Sequence, residues 1–500
     1  MSKRFLYRNT VSSLMNQVVT VLYGLVLPRL ILSTYGSEVN GLLSSITQFL
    51  GFISLLDLGV GAVIQSAYYK PIAERDSYSI NLIYNESKKF FSVISYILIF
   101  YVTGLCVFFS RAADKQFDII YIISLVTSIS ISLFAQYFFS IPNDLLLNAD
   151  QHYYYQSNIQ IVLTTINIAI GVVLIKLNTS IQIVKLLSSL IYCVKPFILY
   201  RYVKTHYQLK KEIKDSDFRI RQKWSGLAQH CATVITNNMD VMVLTCCSTF
   251  SQVSVYTVYN MVISGVKLLI NSLSNGFFSY LGDLYAREKY SELNEKFDLF
   301  EWGISAVVTM IFSITGLLIV PFVANYTSGI SDISYIQPLF AVCLTAAQAV
   351  YCFRIPYNTM ICSAGHYKQT QNSAIVEILI NLLISIVFVY RFGLIGVAVG
   401  TLLAMLYRTI YFICYLHFNV LKRSYLKVVN LMLVNILECA LIVLICRRIT
   451  NVINPFNGFM QWILTGVIFC LISVLLIVII NFIFYRKYLK KGIDYIFTML

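Results

Sequence analysis

Apolar runs long enough to cross a lipid bilayer recur along almost the whole of this 500-residue chain. Hydrophobic residues make up 58% of the sequence and charged residues 12%, far from the values of soluble domains. Because hydrocarbon offers no partner to backbone N–H and C=O groups, such runs fold as helices. We predict an all-α integral membrane protein with about 14 transmembrane helices. They lie at 10–33, 40–69, 89–110, 118–142, 156–176, 180–203, 226–247, 252–281, 299–322, 335–356, 372–391, 392–420, 427–449 and 458–484.

One segment of the chain repeats 214 residues further on. Tyr137–Val173 aligns with Tyr351–Val387. Apolar matches are expected by chance in this composition, so the matches between polar residues and prolines are the evidence for a repeat. They pair Pro142 with Pro356, His152-Tyr153 with His366-Tyr367, Asn158 with Asn372, and Asn167 with Asn381. Duplicated helix bundles are typical of secondary transporters, whose substrate site lies between the repeats. Transport is therefore the leading hypothesis.

The repeat also predicts the domain organisation. We expect two six-helix bundles related by the repeat, followed by a C-terminal helix pair. The predicted segments are 1–203 for the first bundle, 204–225 for a basic cytoplasmic linker, 226–420 for the second bundle, and 421–500 for the helix pair and tail.

The placement of basic residues predicts the orientation. Net charge is +15, and most of the 38 Lys and Arg lie in segments that this topology puts on one side. This asymmetry follows the positive-inside rule and predicts that both termini of this multi-pass protein are cytoplasmic. The same placement argues against a nucleic-acid partner.

Several function classes are disfavoured. The 12 Cys lie almost entirely within the predicted spans and form no metal-binding or redox motif. The sequence has no phosphate-binding loop and no dinucleotide fingerprint, and the predicted external loops are short. We therefore expect a protein that is not an enzyme and uses no cofactor, with coupling to H+ or Na+ as its energy source.

Polar residues follow one face of several predicted spans. On the eighth span they recur at three- and four-residue steps, which places them within about 100° of one helix face. The eighth span carries Asn260, Ser264, Lys267 and Asn271, and the seventh carries Gln229, Thr233, Asn237 and Asp240. Such faces predict a shared, water-accessible cavity. Ordinary hydrogen bonding between helices is the alternative.

Ten ionisable residues fall within predicted spans: Arg29, Lys185, Lys195, Lys267, Arg354, Arg408, Asp57, Asp240, Glu377 and Glu438. Placing an ionisable side chain at mid-membrane costs free energy, so each of these residues is expected to have a structural or functional role. Lys267 is central and on the polar face, so we expect it to contact substrate. Asp57 and Asp240 are either coupling-ion sites or salt-bridge partners of Lys267. Snorkelling or local pairing is the alternative for those nearer the span ends, Arg29, Lys185, Arg354 and Glu377.

Two motifs resemble a known family. Tyr35–Gly41 (YGSEVNG) with Leu56–Gly61 (LDLGVG), and Gly393–Thr401 (GLIGVAVGT), are similar to segments of polysaccharide-unit flippases, in the multidrug/oligosaccharidyl-lipid/polysaccharide exporter superfamily. The resemblance implies a substrate of undecaprenyl-pyrophosphate-linked oligosaccharide, and a final helix pair that helps to accommodate its lipid tail. It also implies a location in a bacterial cytoplasmic (inner or plasma) membrane. It also implies basic cavity residues in spans one, two and eight. Lys267 matches, Arg29 matches less well, and Asp57 replaces the basic residue of span two. This replacement favours a surface or capsular glycan over a peptidoglycan precursor.

The predicted mechanism is alternating access of the two lobes, which moves the glycan unit from the inner to the outer leaflet. The predicted substrate-binding residues are Lys267, Arg408, Arg354, Arg29, Asn237, Asn260, Asn271 and Gln229, and the predicted ion-coupling residues are Asp57 and Asp240. Expected partners are the lipid-linked glycan, membrane lipids, and the polymerase and glycosyltransferases of the same pathway. The alternatives are an ion-coupled multidrug or small-molecule antiporter of the same superfamily and a structural component of a synthesis complex.

Overall fold

The structure is a computed structural model, and it describes residues 3–57, 59–113, 116–207, 209, 227–421, 423–450 and 452–491. Within these ranges the regular elements are helical, which confirms the predicted all-α class. The helices are α1 (Lys3–Gly51), α2 (Val60–Glu74), α3 (Ser77–Ala112), α4 (Ile119–Ala135), α5 (Ile141–Ala149), α6 (Tyr153–Lys176), α7 (Ile181–Tyr207), α8 (Leu227–Cys247), α9 (Phe250–Ala286), α10 (Tyr290–Tyr326), α11 (Pro338–Phe353), α12 (Ile355–Ser363), α13 (Tyr367–Phe392), α14 (Leu394–Asn419), α15 (Leu426–Ile449) and α16 (Phe459–Phe484). A 3-10 helix, Phe52–Asp57, follows α1, and a π-helical turn, Gln136–Ser140, joins α4 to α5.

Twelve helical segments of the described residues are long and apolar enough to cross a membrane, which supports a multi-pass membrane protein. The first, Tyr7–Asp57, includes a kink at Gly36, whose φ of 85° lies in the left-handed region that glycine tolerates without strain. Another apolar helix, Cys231–Cys247, is shorter. The count of about 14 spans therefore stays a prediction.

The distribution of exposed and buried side chains on α16 is that of a helix surrounded by lipid. Most of its large apolar side chains are exposed, with Met460 77% and Leu471 67% exposed. Three polar residues along its length, Thr465, Ser473 and Asn481, are instead buried against the rest of the protein. This is the reverse of the pattern in a soluble protein, where polar residues face the solvent. Hydrocarbon around α16 explains the pattern, because it solvates apolar side chains and leaves polar ones to pair inside.

The chain divides into two compact units, unit 1 (Met1–Asn238) and unit 2 (Met239–Leu500). In unit 2, α15 and α16 pack against α10 through a core that includes Leu318, Ile442 and Phe469. The domain boundaries predicted above stay predictions. Most of the predicted basic linker, 204–225, lies outside the described residues.

The internal repeat is present in the helices. Helices α5 and α12 begin and end at residues 214 apart, and α6 and α13 begin 214 apart. Pro142 and Pro356 occupy the first turn of α5 and α12, where the missing N–H costs nothing. The turns that follow match as well, since Gln151 and its counterpart Gly365 both have positive φ, 62° and 76°.

Two glycines bring α14 close to α13. A Cβ on Gly396 would lie 2.5 Å from the backbone carbonyl of Phe388, and one on Gly400 would lie 2.9 Å from the backbone N of Ser385. Their four-residue spacing is the small-residue pattern that allows close helix packing in membranes. The close approach places the face of α14 that carries Thr401 beside α13.

Candidate functional site

The candidate site lies in unit 2, where four helices bring predicted site residues together. Lys267 is at the middle of α9, and its Nζ lies 4.3 Å from the ring centroid of Tyr351 on α11. The side chain is half-buried, and among the described residues its ammonium has neither a carboxylate within ion-pair distance nor a hydrogen-bond acceptor. A cation over an aromatic face is stabilised by about 0.5–2 kcal/mol and keeps its N–H donors free for another partner.

Arg354 and Arg408 share one carboxylate. Nη1 of Arg354 lies 2.6 Å from Oε1 of Glu377 on α13, and Nη1 of Arg408 pairs with Oε2 of the same residue. Glu377 is completely buried, and the two arginines are 5% and 4% exposed. Local pairing, one of the alternatives for Arg354 and Glu377, is therefore present. Removing one partner of a buried ion pair costs about 3–5 kcal/mol, so each member depends on the others.

Tyr351 connects the two groups. The guanidinium of Arg354 lies 5.1 Å from its ring centroid, so the ring contacts both this arginine and Lys267. Lys267 and Arg354 contact the ring, and Arg408 joins the group through Glu377, so three basic side chains share this one directly paired carboxylate. A partly enclosed site with excess positive charge attracts anions, and its low dielectric strengthens the attraction. Because the arginines are engaged and buried, Lys267 is the cation best able to contact a ligand.

Asp240 forms a second polar cluster in unit 2. It is 4% exposed and accepts hydrogen bonds from Tyr256 Oη at 2.9 Å, from Thr401 Oγ1 at 2.9 Å to both carboxylate oxygens, and from Asn381 Nδ2 at 3.4 Å. Ser385 in turn donates to Oδ1 of Asn381 at 2.9 Å. These partners are all neutral. Asp240 is thus held by hydroxyl and amide groups of α9, α13 and α14, and within the described ranges no Lys or Arg forms an ion pair with it.

The other predicted site residues lie at separate places. Asp57, at the end of the 3-10 helix in unit 1, accepts a hydrogen bond of 3.1 Å from Tyr137 Oη. Arg29 is half-buried on α1, and Asn260 and Asn271 are half-buried on α9, the helix of Lys267. Asn237 is exposed on α8. Gln229 also belongs to α8, but its side chain lies outside the described part of the chain.

Sequence reasoning missed two residues of unit 2 that contact predicted site residues, Tyr351 and Thr401. Tyr351 begins the second copy of the repeat, and its counterpart Tyr137 begins the first, so the repeat held a signal for both tyrosines. Each contacts a charged residue of its own unit, Lys267 for Tyr351 and Asp57 for Tyr137. Thr401 closes the GLIGVAVGT motif, but no sequence pattern linked it to Asp240.

No family model and no curated protein sequence matches this chain. Solved structures do match its fold. A lipid II flippase, MurJ, in an inward closed conformation, has a TM-score of 0.63 and 15% identity, with 96% of this chain and 99% of the flippase covered. A multidrug resistance MATE family transporter of the MOP superfamily, inward-facing, has a TM-score of 0.61 and 14% identity, covering 81% and 96%. A MOP superfamily transporter from Pyrococcus furiosus has a TM-score of 0.57 and 15% identity, covering 84% and 97%. The chain therefore has the fold of the MOP transporters, which agrees with the resemblance in its motifs.

Proposed function

We propose that this protein is a flippase for a lipid-linked oligosaccharide. Its substrate is an undecaprenyl-pyrophosphate-linked unit, moved from the inner to the outer leaflet for surface or capsular polysaccharide synthesis by alternating access of two lobes. The observation that carries the proposal is Lys267, a half-buried cation at mid-helix with no carboxylate partner among the described residues. Placing a charge there is costly and is explained by a partner that arrives with the opposite charge.

A pyrophosphate fits the site better than a neutral or cationic ligand does. The ammonium of Lys267 offers three N–H donors and a compact charge, which can hold a phosphate and release it again. Arg354 and Arg408 strengthen the positive field while Glu377 holds them in place. Sugars attached to the pyrophosphate would meet the amides of Asn260 and Asn271, which lie seven residues before and four after Lys267, on the same side of α9.

Asp240 supports the proposed coupling to H+ or Na+. Its carboxylate, with the hydroxyls of Thr401 and Tyr256, forms a buried group of oxygen atoms. Oxygen ligands suit a hard cation, and a buried carboxylate can also take up a proton. In this proposal the ion binds at Asp240 and the glycan lipid at Lys267, in the same unit.

The test compares binding of undecaprenyl pyrophosphate with that of undecaprenol, which lacks the pyrophosphate, by native mass spectrometry of the purified protein. We expect Lys267→Ala to weaken binding of undecaprenyl pyrophosphate at least tenfold, about 1.4 kcal/mol or more, and to leave undecaprenol binding unchanged. Lys267→Arg keeps the charge and should retain most of the binding. Lys185→Ala, which removes another lysine from a predicted span, is the matched control. Equal binding of both lipids by the unmodified protein would exclude the proposed role of Lys267.

The second candidate function is a multidrug or small-molecule antiporter. It has support from the MATE transporters that share this fold and from the acidic residues Asp57 and Asp240. Deleting the gene in its own host distinguishes the two functions. Loss of surface glycan with unchanged drug accumulation supports the flippase, and raised drug accumulation with normal glycan supports the antiporter.

A further inference from the structure

Helix α16 ends in exposed apolar side chains, and a basic turn follows it directly. Phe482, Ile483 and Phe484, the last residues of the helix, are 53%, 67% and 57% exposed. Residues 486–491 then form a further helical turn, and its sequence, RKYLKK, carries four cations. A change from apolar to basic within two residues is typical of the boundary between hydrocarbon and lipid headgroups. We therefore expect the basic turn to lie at the depth of the lipid phosphates.

The basic turn is held against the start of α10. Tyr488 Oη donates a hydrogen bond of 3.2 Å to Oδ2 of Asp298, and the ring centroid of Tyr488 lies 6.3 Å from that of Trp302. The ammonium of Lys491 pairs with Glu295. These three partners all belong to α10, so the turn is a fixed part of unit 2 and its side chains have defined directions.

The other three cations of the turn form an exposed basic face, Arg486, Lys487 and Lys490. Helical geometry places them within about 100° of one another around the turn, whereas Tyr488 and Lys491 lie beyond this sector. None of the three forms an ion pair with another residue of the described ranges. The guanidinium of Arg486 lies 5.0 Å from the ring centroid of Phe482, so the basic face adjoins the exposed end of α16.

The two acidic residues that hold the turn already pair with other cations. Asp298 pairs with Arg423 and with Lys427, whose Nζ lies 3.0 Å from Oδ2, and Glu295 pairs with Lys491. Their carboxylates are therefore engaged away from the basic face. The basic face keeps a positive potential, which attracts an anion from outside the protein.

We propose that the basic face binds the phosphate of an anionic phospholipid whose acyl chains lie against the exposed end of α16. The guanidinium of Arg486 matches a phosphate with two parallel N–H donors, and the two lysines add compact charges. A zwitterionic lipid carries the same phosphate, but its own ammonium offsets the charge, so three cations favour a lipid with net negative charge. The apolar side chains of Phe482, Ile483 and Phe484 favour a lipid over free phosphate, because acyl chains cover them and water does not.

The bound phospholipid is a neighbour of the protein and not the molecule that is transported. It holds the end of α16 at the membrane surface and, through Tyr488 and Lys491, also the start of α10. The orientation predicted from the sequence puts this end of α16 on the cytoplasmic side, where the leaflet is more negatively charged. The lipid site is separate from Lys267 and does not depend on which molecule the protein transports.

The experiment places the full-length protein in phosphatidylcholine nanodiscs that contain a trace of photoreactive lipid. Two probes carry the same diazirine in one acyl chain and differ only in the headgroup, phosphatidylglycerol or phosphatidylcholine. Mass spectrometry locates the labelled residues, and the ratio of the two probes at the last turn of α16 measures the preference. We expect phosphatidylglycerol to label this turn at least tenfold more strongly, and the preference to fall as the salt concentration rises.

Matched double substitutions separate this site from a general attraction of anionic lipids. Arg486→Gln with Lys487→Gln should reduce the preference about tenfold. Lys487→Gln with Lys490→Gln should do the same and keeps the contact of Arg486 with α16, so it decides if the first variant does not fold. Arg447→Gln with Arg448→Gln removes two exposed cations at the last turn of α15 and should leave the preference at the end of α16 unchanged.

Three results would overturn the proposal. They are equal labelling by the two probes in the unmodified protein, an unchanged preference in the variants of the basic face, and an equal loss of preference in the variant of Arg447 and Arg448. In each case the cations of the turn only orient α16 in the membrane.

Discussion

The ring of Tyr351 lies 4.3 Å from the ammonium of Lys267 and 5.1 Å from the guanidinium of Arg354, so one aromatic side chain stabilises two cations within unit 2. The two positive charges on either side of this contact repel each other. The electron-rich ring and the carboxylate of Glu377 reduce that repulsion. The arrangement keeps Lys267 in place without neutralising it, as a carboxylate partner would.

The first prediction concerns this ring. Tyr351→Phe keeps the aromatic face and should retain binding of undecaprenyl pyrophosphate, whereas Tyr351→Leu should weaken it about three- to tenfold, as expected for the loss of a partly buried cation–π contact. Native mass spectrometry of the two variants measures the difference. If the phenylalanine variant is weakened as much as the leucine variant, the hydroxyl rather than the ring is what matters.

The second prediction concerns Glu377. Glu377→Gln leaves Arg354 and Arg408 buried without a countercharge, and we expect it to lower the free energy of unfolding by about 3–5 kcal/mol. Thermal unfolding in detergent, followed by tryptophan fluorescence, gives the comparison. Glu74→Gln breaks an exposed pair with Lys70 and should change stability by less than about 1 kcal/mol. Equal effects of the two substitutions would show that the buried pairs do not stabilise unit 2.

The third prediction concerns the packing of α13 on α14. Gly400→Ala and Gly396→Ala each place a methyl group against the backbone or side chains of α13 and should separate the two helices. Both variants should be destabilised by about 1–3 kcal/mol. Gly104→Ala is the control, because its Cβ meets nothing within 4 Å and alanine is the better helix former. It should be neutral or slightly stabilising in the same unfolding assay.

The fourth prediction concerns the coupling ion. If Na+ binds at Asp240, NaCl should raise the unfolding temperature relative to choline chloride at equal ionic strength, and Asp240→Asn and Thr401→Val should both remove this increase. If the coupling ion is H+, the unfolding temperature of the unmodified protein will not differ between the two salts. Its transport will instead be driven by an imposed pH gradient, and Asp240→Asn will abolish this dependence of transport on the gradient. Coupling that survives Asp240→Asn in both assays rules this residue out.

The fifth prediction is a pH dependence in unit 1. A hydrogen bond to Asp150, whose Oδ2 lies 3.3 Å from Nδ1 of His152, raises the pKa of His152 above its ordinary value of 6.5. The folded state therefore binds the proton more tightly than the unfolded state. The resulting stabilisation is fully present below pH 6.5 and is lost as the pH rises through the raised pKa.

His152→Gln should accordingly lower the unfolding temperature at pH 5.5 more than at pH 8.5. Asp150→Asn removes the carboxylate, which is the main cause of the raised pKa, and keeps the backbone carbonyl that also contacts Nδ1 of His152 at 2.8 Å. In a protein that already carries Asp150→Asn, the effect of His152→Gln should therefore depend much less on pH. If His152→Gln alone has the same effect at both pH values, His152 stabilises unit 1 only by packing, for example through its ring contact with Phe5 at 5.1 Å.

The sequence by itself determined the helices and the repeat. Long apolar runs have one stable arrangement in a bilayer, because each backbone polar group must be satisfied within its own helix. The repeat at an offset of 214 residues is likewise present in the helices, since α5 corresponds to α12 and α6 to α13. The correspondence extends to the backbone of the turns between them, where Gln151 and Gly365 both have positive φ. Lys267 stood out for a local reason, its central place on a polar helix face.

Only the tertiary structure decided which charges pair. Glu377 and Arg408 are 31 residues apart, and Asp240 and Thr401 are 161 apart. Neither spacing has a helical signature, since these contacts arise where α13 and α14 approach each other and the helices around them. The sequence ranked Arg354, Arg408 and Lys267 by depth in the membrane, whereas the packing of α11, α13 and α14 gave the two arginines a shared carboxylate and left Lys267 with an aromatic ring. Depth is a property of one helix, and pairing is a property of several.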